Sequence, residues 1–340
     1  MTYTVTIQPS GHQFTLETDE TVLDSALRQG YAMPYGCRGG ACGACKAKVI
    51  SGEVNYPDGD PLAISETEKT TGMALFCVAH ASSDLEIEVR EIGAAKDIVI
   101  KTLPCRVASM EKLASDVMVL KLKLPQADRL QFLAGQYIDI LLKDGRRRSF
   151  SIANAPHDDA FIELHVRKIE NGEFTGRVFE QMTEKDLLRF EGPHGSFFWR
   201  EESDRPAILM AGGTGFAPIK GVVEHVLAEG LKQPVHIYWG ARNKESLYMA
   251  ELAQSWADSH EKLHFIPVLS EPLDSDQWAG RTGFVHDAVC QDFSDLSAYD
   301  IYACGPPVMI QAGRSAFASQ GMDESHFYFD SFDYAKDSAG

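Results

Sequence analysis

The stretch "PYGCRGGACGAC", residues 34–45, sets three cysteines among glycines and alanines. Cys37, Cys42 and Cys45 are followed at a distance by Cys77, which gives the spacing C-x4-C-x2-C with one remote cysteine. This spacing is typical of a 2Fe-2S cluster held by four thiolates. A structural zinc site with four cysteine ligands is the alternative. The small residues favour the cluster, because they let backbone N–H groups approach the sulfurs.

The chain has 340 residues, which is too long for one typical core, and we expect three domains. No apolar run reaches transmembrane length. The first residues, "MTYTVTIQPSG", alternate polar and apolar side chains and lack the pattern of a secretory signal. The seven cysteines are few and clustered, which indicates metal binding or redox work instead of a disulfide framework. We therefore expect a soluble cytoplasmic protein.

The net charge of −17 argues against nucleic acid and anionic membranes as partners, because both require basic surfaces. The charge is unevenly distributed along the chain. Residues 1–92 carry 13 acidic and 6 basic side chains, residues 93–203 carry 17 of each, and residues 204–340 carry 19 and 9. The neutral middle third is suited to a segment that holds an anion.

Hydrophobic patterns divide the chain into three parts and a linker. Residues 1–92 contain short strands and a helix at about 21–29, which predicts a small mixed α/β unit. Residues 93–101 have no strong pattern and are interpreted as a linker. Residues 102–203 contain evenly spaced strands that predict an antiparallel barrel. In residues 204–340 strands and helices alternate, which predicts a doubly wound parallel sheet.

With the cysteine loop and this layout, residues 1–92 resemble a plant-type ferredoxin, and the remainder resembles the ferredoxin-NADP reductase family. The resemblance covers nearly the whole chain. It implies an N-terminal β-grasp ferredoxin domain, an FAD-binding antiparallel β-barrel, and a C-terminal doubly wound α/β domain that binds NAD(P)H. Cys105 and Cys290 lie outside every motif and are interpreted as ordinary thiols.

The segment "RSFS", residues 148–151, resembles the Arg-x-Tyr-Ser motif of that family. The resemblance implies that Arg148 meets the flavin phosphates, that Phe150 packs on the isoalloxazine ring and that Ser151 lies near its N5 atom. A guanidinium suits phosphate because its planar fork donates two hydrogen bonds at once. Phe150 takes the place of the tyrosine, so the phenolic hydrogen bond to the ribityl chain is absent.

Two further segments resemble flavin-binding parts of the family. "GEFT", residues 172–175, is similar to a Gly-x-x-Ser motif that binds pyrophosphate at a helix N-terminus. "LHVR", residues 164–167, would line the flavin from a neighbouring strand. The implied flavin contacts in these segments are Gly172, Phe174, Thr175, His165, Val166 and Arg167.

The segment "LMAGGTGFAPIKG", residues 209–221, lies between a predicted strand and a predicted helix, which is the context that a dinucleotide site requires. Its implied coenzyme contacts are Gly213, Thr214, Gly215 and Pro218. The next strand ends at Gly240, where Arg242 could take a 2′-phosphate and Glu245 could take ribose hydroxyls. The choice between NADH and NADPH stays open, with NADH slightly favoured.

The end of the chain supplies the implied hydride-transfer residues. "ACGPP", residues 303–307, resembles the family's Cys-Gly-Pro motif, which implies that Cys304, Gly305 and Pro306 lie beside the nicotinamide. "FYFDSFDYA", residues 327–335, offers Asp330 and a C-terminal aromatic residue that covers the flavin. Phe332 is the favoured aromatic residue, and Phe329 and Tyr334 are alternatives.

The resemblance implies transfer of a hydride from NAD(P)H to FAD, with Ser151, Cys304 and Asp330 positioning the nicotinamide and excluding water. Single electrons then pass through the 2Fe-2S cluster to a partner protein, and we expect the reductase itself to be a monomer. The domain order resembles the reductase components of bacterial multicomponent oxygenases, and equally the CDP-6-deoxy-glucoseen reductases that serve 3-deoxysugar dehydrases. We prefer the oxygenase role because it is the commoner use. A non-catalytic flavin- and metal-binding redox sensor is an alternative of another class, against which the intact Cys304 and Asp330 argue.

Overall fold

In the computed structural model the chain forms two units, Met1–Val99 and Ile100–Gly340, and residues 2–93, 98–126 and 128–332 are described. The predicted linker, 93–101, falls at the junction of the two units, and its residues 94–97 lie outside the described residues. Within the described part of the chain, no helix combines the length and the apolar character that crossing a bilayer requires.

The first unit is a β-grasp domain, as predicted. Its five-stranded sheet has the order β2-β1-β7-β3-β5, in which β1 and β7 are parallel. Thr21 caps α1, its side chain accepting a hydrogen bond from the Asp24 amide at 3.0 Å, so the helix begins where the sequence predicts. The elements of this unit are β1 (Thr2–Gln8), β2 (Gln13–Glu17), α1 (Val22–Arg28), β3 (Lys46–Ser51), β4 (Val54–Asn55), α2 (Glu66–Thr70), β5 (Met73–Leu75), β6 (His80–Ala81) and β7 (Leu85–Glu88).

The second unit begins with the predicted antiparallel barrel. Its six strands follow the order β11-β10-β13-β8-β9-β12, and a bridge between Ile152 and Leu164 joins the two outer strands. Apolar side chains alternate inward along each strand and fill the barrel. The elements are β8 (Lys101–Ala114), β9 (Val117–Lys123), β10 (Tyr137–Leu141), β11 (Arg147–Ser151), β12 (Ile162–Arg167), α3 (Glu173–Glu180) and β13 (Leu187–His194).

The second unit ends in a parallel sheet with the order β17-β16-β15-β14-β18-β19 and helices on both faces, which confirms the doubly wound prediction. The central strand β14 is buried along its whole length, as a strand covered on both faces requires. The elements are β14 (Ala207–Gly212), α4 (Phe216–Glu229), β15 (Val235–Ala241), α5 (Ala250–Ser259), β16 (Leu263–Leu269), β17 (Arg281–Thr282), α6 (Val285–Asp292), β18 (Asp300–Gly305), α7 (Pro307–Ala318) and β19 (Phe327–Ser331).

A buried carboxylate connects the entrance of this sheet to its last strand. Asp300 is 2% exposed, and its Oδ1 lies 3.2 Å from Nε of Arg205 and 2.6 Å from Nδ1 of His326. Arg205 precedes β14, Asp300 begins β18, and His326 precedes β19. One carboxylate therefore holds the starting points of three neighbouring strands.

We predict that Asp300→Ala lowers the free energy of unfolding of the second unit by about 3 kcal/mol, because it leaves Arg205 without its buried counter-charge. Urea denaturation followed by tryptophan fluorescence measures this, since all four tryptophans lie in the second unit. Asp295→Ala is the control, because Asp295 is exposed and its carboxylate accepts from the nearby Ser297 amide at the surface. A change below 1 kcal/mol for Asp300→Ala would contradict the prediction.

Candidate functional site

The cysteine loop directs backbone N–H groups at its own sulfurs. The amide of Gly39 donates to Sγ of Cys37 at 3.4 Å, and the amides of Cys37 and Ala44 donate to Sγ of Cys42 at 3.4 and 3.5 Å. A Cβ placed on Gly36 would lie 3.2 Å from the Cys42 sulfur, so a side chain there would crowd the sulfur. Donors of this kind stabilise the negative charge that thiolates and a bound cluster carry.

The four thiols form two interacting pairs. Hydrogen bonding from Cys42 lowers the pKa of Cys37, and hydrogen bonding from Cys45 lowers the pKa of Cys77. Two thiol pairs are the donor set that a binuclear iron–sulfur cluster requires, so these residues fit the group that the spacing predicts. Over residues 2–93, 98–126 and 128–332, no three His, Cys, Asp or Glu side chains converge on a position for one metal ion.

The predicted phosphate-binding residues of the barrel lie around the start of α3. This helix begins after Gly172 without a side-chain cap, which leaves its first amides available for a phosphate. Burial lowers the pKa of the half-buried Arg148, which interacts electrostatically with Glu173 in the first turn of the helix. The ring of Phe150 lies 5.4 Å from the ring of Phe174. The motif "RSFS" and the start of α3 are therefore brought together, and they fit a flavin nucleotide.

Gly172 and Thr175 form a tight turn before α3. The Thr175 hydroxyl accepts from the Ile169 amide at 3.2 Å and donates to the Gly172 carbonyl at 3.3 Å. A Cβ on Gly172 would lie 2.5 Å from that hydroxyl oxygen, so the turn has no room for a side chain. Thr175 thus shapes the helix start, and its contact with a pyrophosphate stays a prediction.

The three residues of "LHVR" that were predicted to line the flavin lie on two faces of β12. Val166 is buried in the barrel core, whereas His165 and Arg167 point toward the nucleotide domain. His165 binds Tyr248 and Glu163 through its two ring nitrogens, and the guanidinium of Arg167 lies against Gly213. Their contact with a flavin stays a prediction, and the contacts with the nucleotide domain were not predicted.

The glycine loop of the nucleotide domain, residues 213–215, packs tightly against the end of β18. Gly213 has φ +54°, and a Cβ on Gly215 would lie 2.0 Å from the Cys304 carbonyl oxygen. Thr214 is buried in this loop, and Pro218 lies in the first turn of α4. The loop therefore joins strand to helix with bare backbone, which fits a dinucleotide pyrophosphate.

The three predicted hydride-transfer residues meet where the barrel faces the nucleotide sheet. The Ser151 hydroxyl donates to Oδ2 of Asp330 at 3.3 Å, and Sγ of Cys304 lies 4.0 Å from the same oxygen. All three side chains are buried, and burial raises the pKa of Cys304 well above its usual value. Cys304 is therefore a neutral thiol beside the buried carboxyl group of Asp330.

The residues after Cys304 and at the end of β19 surround this group. The Phe332 amide donates to the Gly305 carbonyl at 2.9 Å, and Pro306 begins α7. Phe329 packs against the hydrophobic core on the face of the sheet that α6 and α7 cover. Asp330 points to the opposite face, because side chains alternate along β19. This alternation favours Phe332 over Phe329 as the aromatic cover, and Tyr334 lies outside the described residues.

At the predicted adenosine end of the coenzyme site, Arg242 is exposed to solvent, unlike the buried residues around Asp330. Arg242 lies just beyond β15, and Gly240 packs against Val285 of α6, where a Cβ would lie 2.8 Å from the valine Cβ. The carboxylate of Glu245 accepts from the Ser115 amide at 2.8 Å, so it is engaged with the turn between β8 and β9. The choice between NADH and NADPH stays a prediction.

Two aromatic residues behind the glycine loop were missed by the sequence reasoning. Trp239 donates from Nε1 to the Gly213 carbonyl at 2.9 Å and stacks on Phe216, with ring centroids 3.8 Å apart. Tyr248 meets Trp239 edge-on at 5.2 Å. The only indication of this support in the sequence is the tryptophan directly before Gly240 in "YWG". A tryptophan at that position is equally typical of an ordinary hydrophobic core.

Three family models match successive parts of the chain. The 2Fe-2S iron-sulfur cluster binding domain matches residues 5–82, the oxidoreductase FAD-binding domain matches 104–199, and the oxidoreductase NAD-binding domain matches 209–315. These matches confirm the three expected cofactor classes and favour the iron–sulfur cluster over zinc.

Similar proteins match over their full lengths. The chain is 43% identical to a CDP-6-deoxy-L-threo-D-glycero-4-hexulose-3-dehydrase reductase of Yersinia pestis, covering 98% of this chain and 99% of the relative. It is 34% identical to the phenol hydroxylase P5 protein of Acinetobacter pittii, covering 100% and 97%. The crystal structure of the Amycolatopsis cytochrome P450 reductase GcoB superposes with a TM-score of 0.80 at 32% identity, covering 97% and 98%.

We predict that Gly215→Ala weakens NAD⁺ binding at least tenfold, because the new Cβ would force the glycine loop away from the Cys304 carbonyl. Isothermal titration calorimetry with NAD⁺ measures this. Gly176→Ala in α3 is the control, since a Cβ there meets nothing within 4 Å. Unchanged NAD⁺ affinity in Gly215→Ala would show that the loop does not bind the coenzyme.

Proposed function

The chain belongs to the ferredoxin reductase-type family of iron–sulfur flavoproteins, and on that premise we propose that it supplies electrons to a CDP-hexulose 3-dehydrase. Members of this family move electrons from NAD(P)H through FAD and a 2Fe-2S cluster to a partner protein. The predicted reductase activity is thereby confirmed, and the non-catalytic sensor is not needed to explain any residue of the site.

The identity to the dehydrase reductase carries this proposal. It is 43% over nearly the whole of both chains, against 34% for the phenol hydroxylase reductase protein over a similar span. The sequence favoured an oxygenase as the electron acceptor only because that role is the commoner one. The higher identity therefore moves the sugar dehydrase ahead as the proposed acceptor.

The chemistry of the proposed acceptor requires such a reductase. Removing a sugar hydroxyl as water and leaving hydrogen in its place consumes two electrons and two protons. Bound FAD supplies hydride acceptance from NAD(P)H, and the bound 2Fe-2S cluster supplies one-electron transfer. Cys37, Cys42, Cys45 and Cys77 would hold the cluster, and Arg148 with the start of α3 would hold the flavin phosphates.

The residues around Asp330 would prepare the hydride-transfer site. Asp330 and Ser151 are held together by their hydrogen bond, so each fixes the side chain of the other. Cys304 is buried and neutral, and it fills the space beside them without adding a charge. We propose that these three side chains orient the nicotinamide and exclude water.

We also propose that the protein lies in the cytoplasm, because Cys105, Cys290 and Cys304, the three cysteines outside the cluster-binding set, are free thiols, as expected in a reducing compartment. The expectation of a monomer stays a prediction.

We predict that Cys77→Ala retains NADH-dependent ferricyanide reduction within about twofold and loses cytochrome c reduction. The small oxidant bypasses the cysteine loop, whereas the protein acceptor does not. Asp330→Ala should slow both activities, because it acts on the hydride step before the electrons divide. Steady-state assays with the two acceptors distinguish the patterns. If Cys77→Ala retains both activities, the cysteine loop is off the electron path.

We predict that NADH oxidation by the purified protein is at least tenfold faster with a CDP-hexulose 3-dehydrase and its sugar substrate than with a phenol hydroxylase component and phenol. Ferricyanide reduction measured on the same sample is the control for an intact reductase. Equal or faster electron transfer to the hydroxylase would overturn the proposed acceptor and leave the reductase activity standing.

A further inference from the structure

Strand β12 of the barrel has a polar face that is nevertheless buried. Ile162, Leu164 and Val166 fill the barrel core. Between them, Glu163 is 8% exposed and His165 is 5% exposed. Alternation of this kind normally puts the polar face in water. Here the nucleotide domain covers that face.

Lys220 of α4 reaches across to Glu163. Its Nζ lies 3.1 Å from Oε1 of Glu163 and 2.8 Å from Oε1 of Glu224, and it donates to the Ala153 carbonyl at 3.2 Å. An ammonium group has three hydrogens, so these three acceptors satisfy it completely. Burial opposes ionisation of Glu163, but the hydrogen bonds from His165 and Lys220 outweigh it and lower the pKa of Glu163 to about 2. Glu163 is therefore a carboxylate.

The ionised Glu163 fixes the protons of its neighbours. A carboxylate only accepts, so His165 donates to it from Nε2 at 3.0 Å. Burial lowers the pKa of His165, so the ring is neutral and its Nδ1 is an acceptor. Tyr248 donates its hydroxyl to that nitrogen at 2.8 Å, and burial raises the pKa of Tyr248, which keeps the hydroxyl protonated. Each hydrogen bond in the sequence Lys220–Glu163–His165–Tyr248 thus has one direction.

The last residue of this hydrogen-bonded chain, Tyr248, contacts Trp239, which holds the glycine loop. Tyr248 packs edge-on against Trp239, and Trp239 holds the Gly213 carbonyl. Trp239 also stacks on Phe216, the first residue of α4, which is the helix that carries Lys220. The glycine loop and the helix that follows it are therefore both tied to β12.

We propose that His165 and Tyr248 are positioning residues for reduction by NAD(P)H: they hold the coenzyme-binding loop at a fixed place against the flavin barrel, acting through Trp239. The coenzyme would be bound mainly by the nucleotide domain and the flavin mainly by the barrel, so the separation of their reacting rings depends on how the two domains are joined. A misplacement of about 1 Å lowers a rate by up to about a hundredfold. This inference concerns the reduction by the coenzyme and does not depend on the acceptor protein.

Tyr248→Phe removes one oxygen and keeps the ring that packs on Trp239. Tyr238→Phe is the matched control: Tyr238 is buried in β15 next to Trp239, and its hydroxyl donates to Asp292 of α6 at 2.5 Å instead of to β12. Anaerobic stopped-flow mixing with saturating NADH should show flavin reduction about tenfold slower in Tyr248→Phe and within twofold of the parent in Tyr238→Phe. Equal slowing in the two variants, or no slowing in Tyr248→Phe, would overturn the proposal.

Two measurements separate positioning from binding and from flavin turnover. Calorimetry with ADP-ribose, which lacks the nicotinamide, should give an affinity within twofold of the parent for Tyr248→Phe. A loss of ADP-ribose affinity that matches the loss of rate would assign Tyr248 to nucleotide binding and overturn the proposal. Hydrogen exchange of the protein without coenzyme should rise in β12 and in residues 213–220 of Tyr248→Phe, and unchanged exchange there would also count against it.

Variants of His165 test the same chain from the barrel side. His165→Asn retains an oxygen near Nδ1 that can accept from Tyr248, whereas His165→Leu offers no acceptor. We expect flavin reduction to be at least threefold faster in His165→Asn than in His165→Leu, because only the asparagine variant can accept the hydrogen bond from Tyr248. If the two variants are equally slow, the hydrogen bond to Tyr248 does not position the loop.

Discussion

Close approach of bare backbone to the groups that it must hold is the constraint on which all three parts of this chain depend. At the cysteine loop, amide groups lie 3.4–3.5 Å from sulfur, and Gly36 leaves room for Cys42. At the start of α3, Gly172 leaves room for the Thr175 hydroxyl. At the glycine loop, Gly215 lies directly against the Cys304 carbonyl. A Cβ would crowd the Cys42 sulfur at the first place and would force a neighbouring group to shift at the other two.

The same constraint explains which parts of the site the sequence predicts. A loop that must present amides to sulfur or phosphate needs small residues at fixed spacing, and such spacing is visible without a structure. The cysteine loop, the segment "RSFS" and the glycine loop are all of this kind. In the structure Ser151 donates a hydrogen bond to Asp330, although 178 residues separate them along the chain. No spacing in the sequence predicts this contact, and only the resemblance to a family placed both residues in one site.

The buried face of β12 is the clearest case that local sequence could not reveal. Glu163 and His165 alternate with apolar residues, and alternation of this kind is typical of a strand with one face in water. The face is buried because Lys220 and Tyr248 cover it, and both lie more than fifty residues away along the chain. Burial by residues that are distant in sequence raises the free-energy cost of an unpaired polar group. A buried carboxylate therefore needs hydrogen-bond donors in fixed directions. The barrel and the nucleotide sheet accordingly pack against each other within the unit Ile100–Gly340.

Relatives of this chain are named for different electron-accepting enzymes. Relatives whose names assign them to a sugar dehydrase and to a phenol hydroxylase share the whole length of the chain at 43% and 34% identity. Residues that hold the cofactors and join the domains are constrained by packing and hydrogen bonding, whatever protein receives the electrons. Exposed residues carry no such constraint, so they can vary with the partner at little cost in stability. Selection of the acceptor therefore belongs to the surface, and the roles proposed for the buried contacts around Asp330 and along β12 concern the reduction step, which is the same for every acceptor.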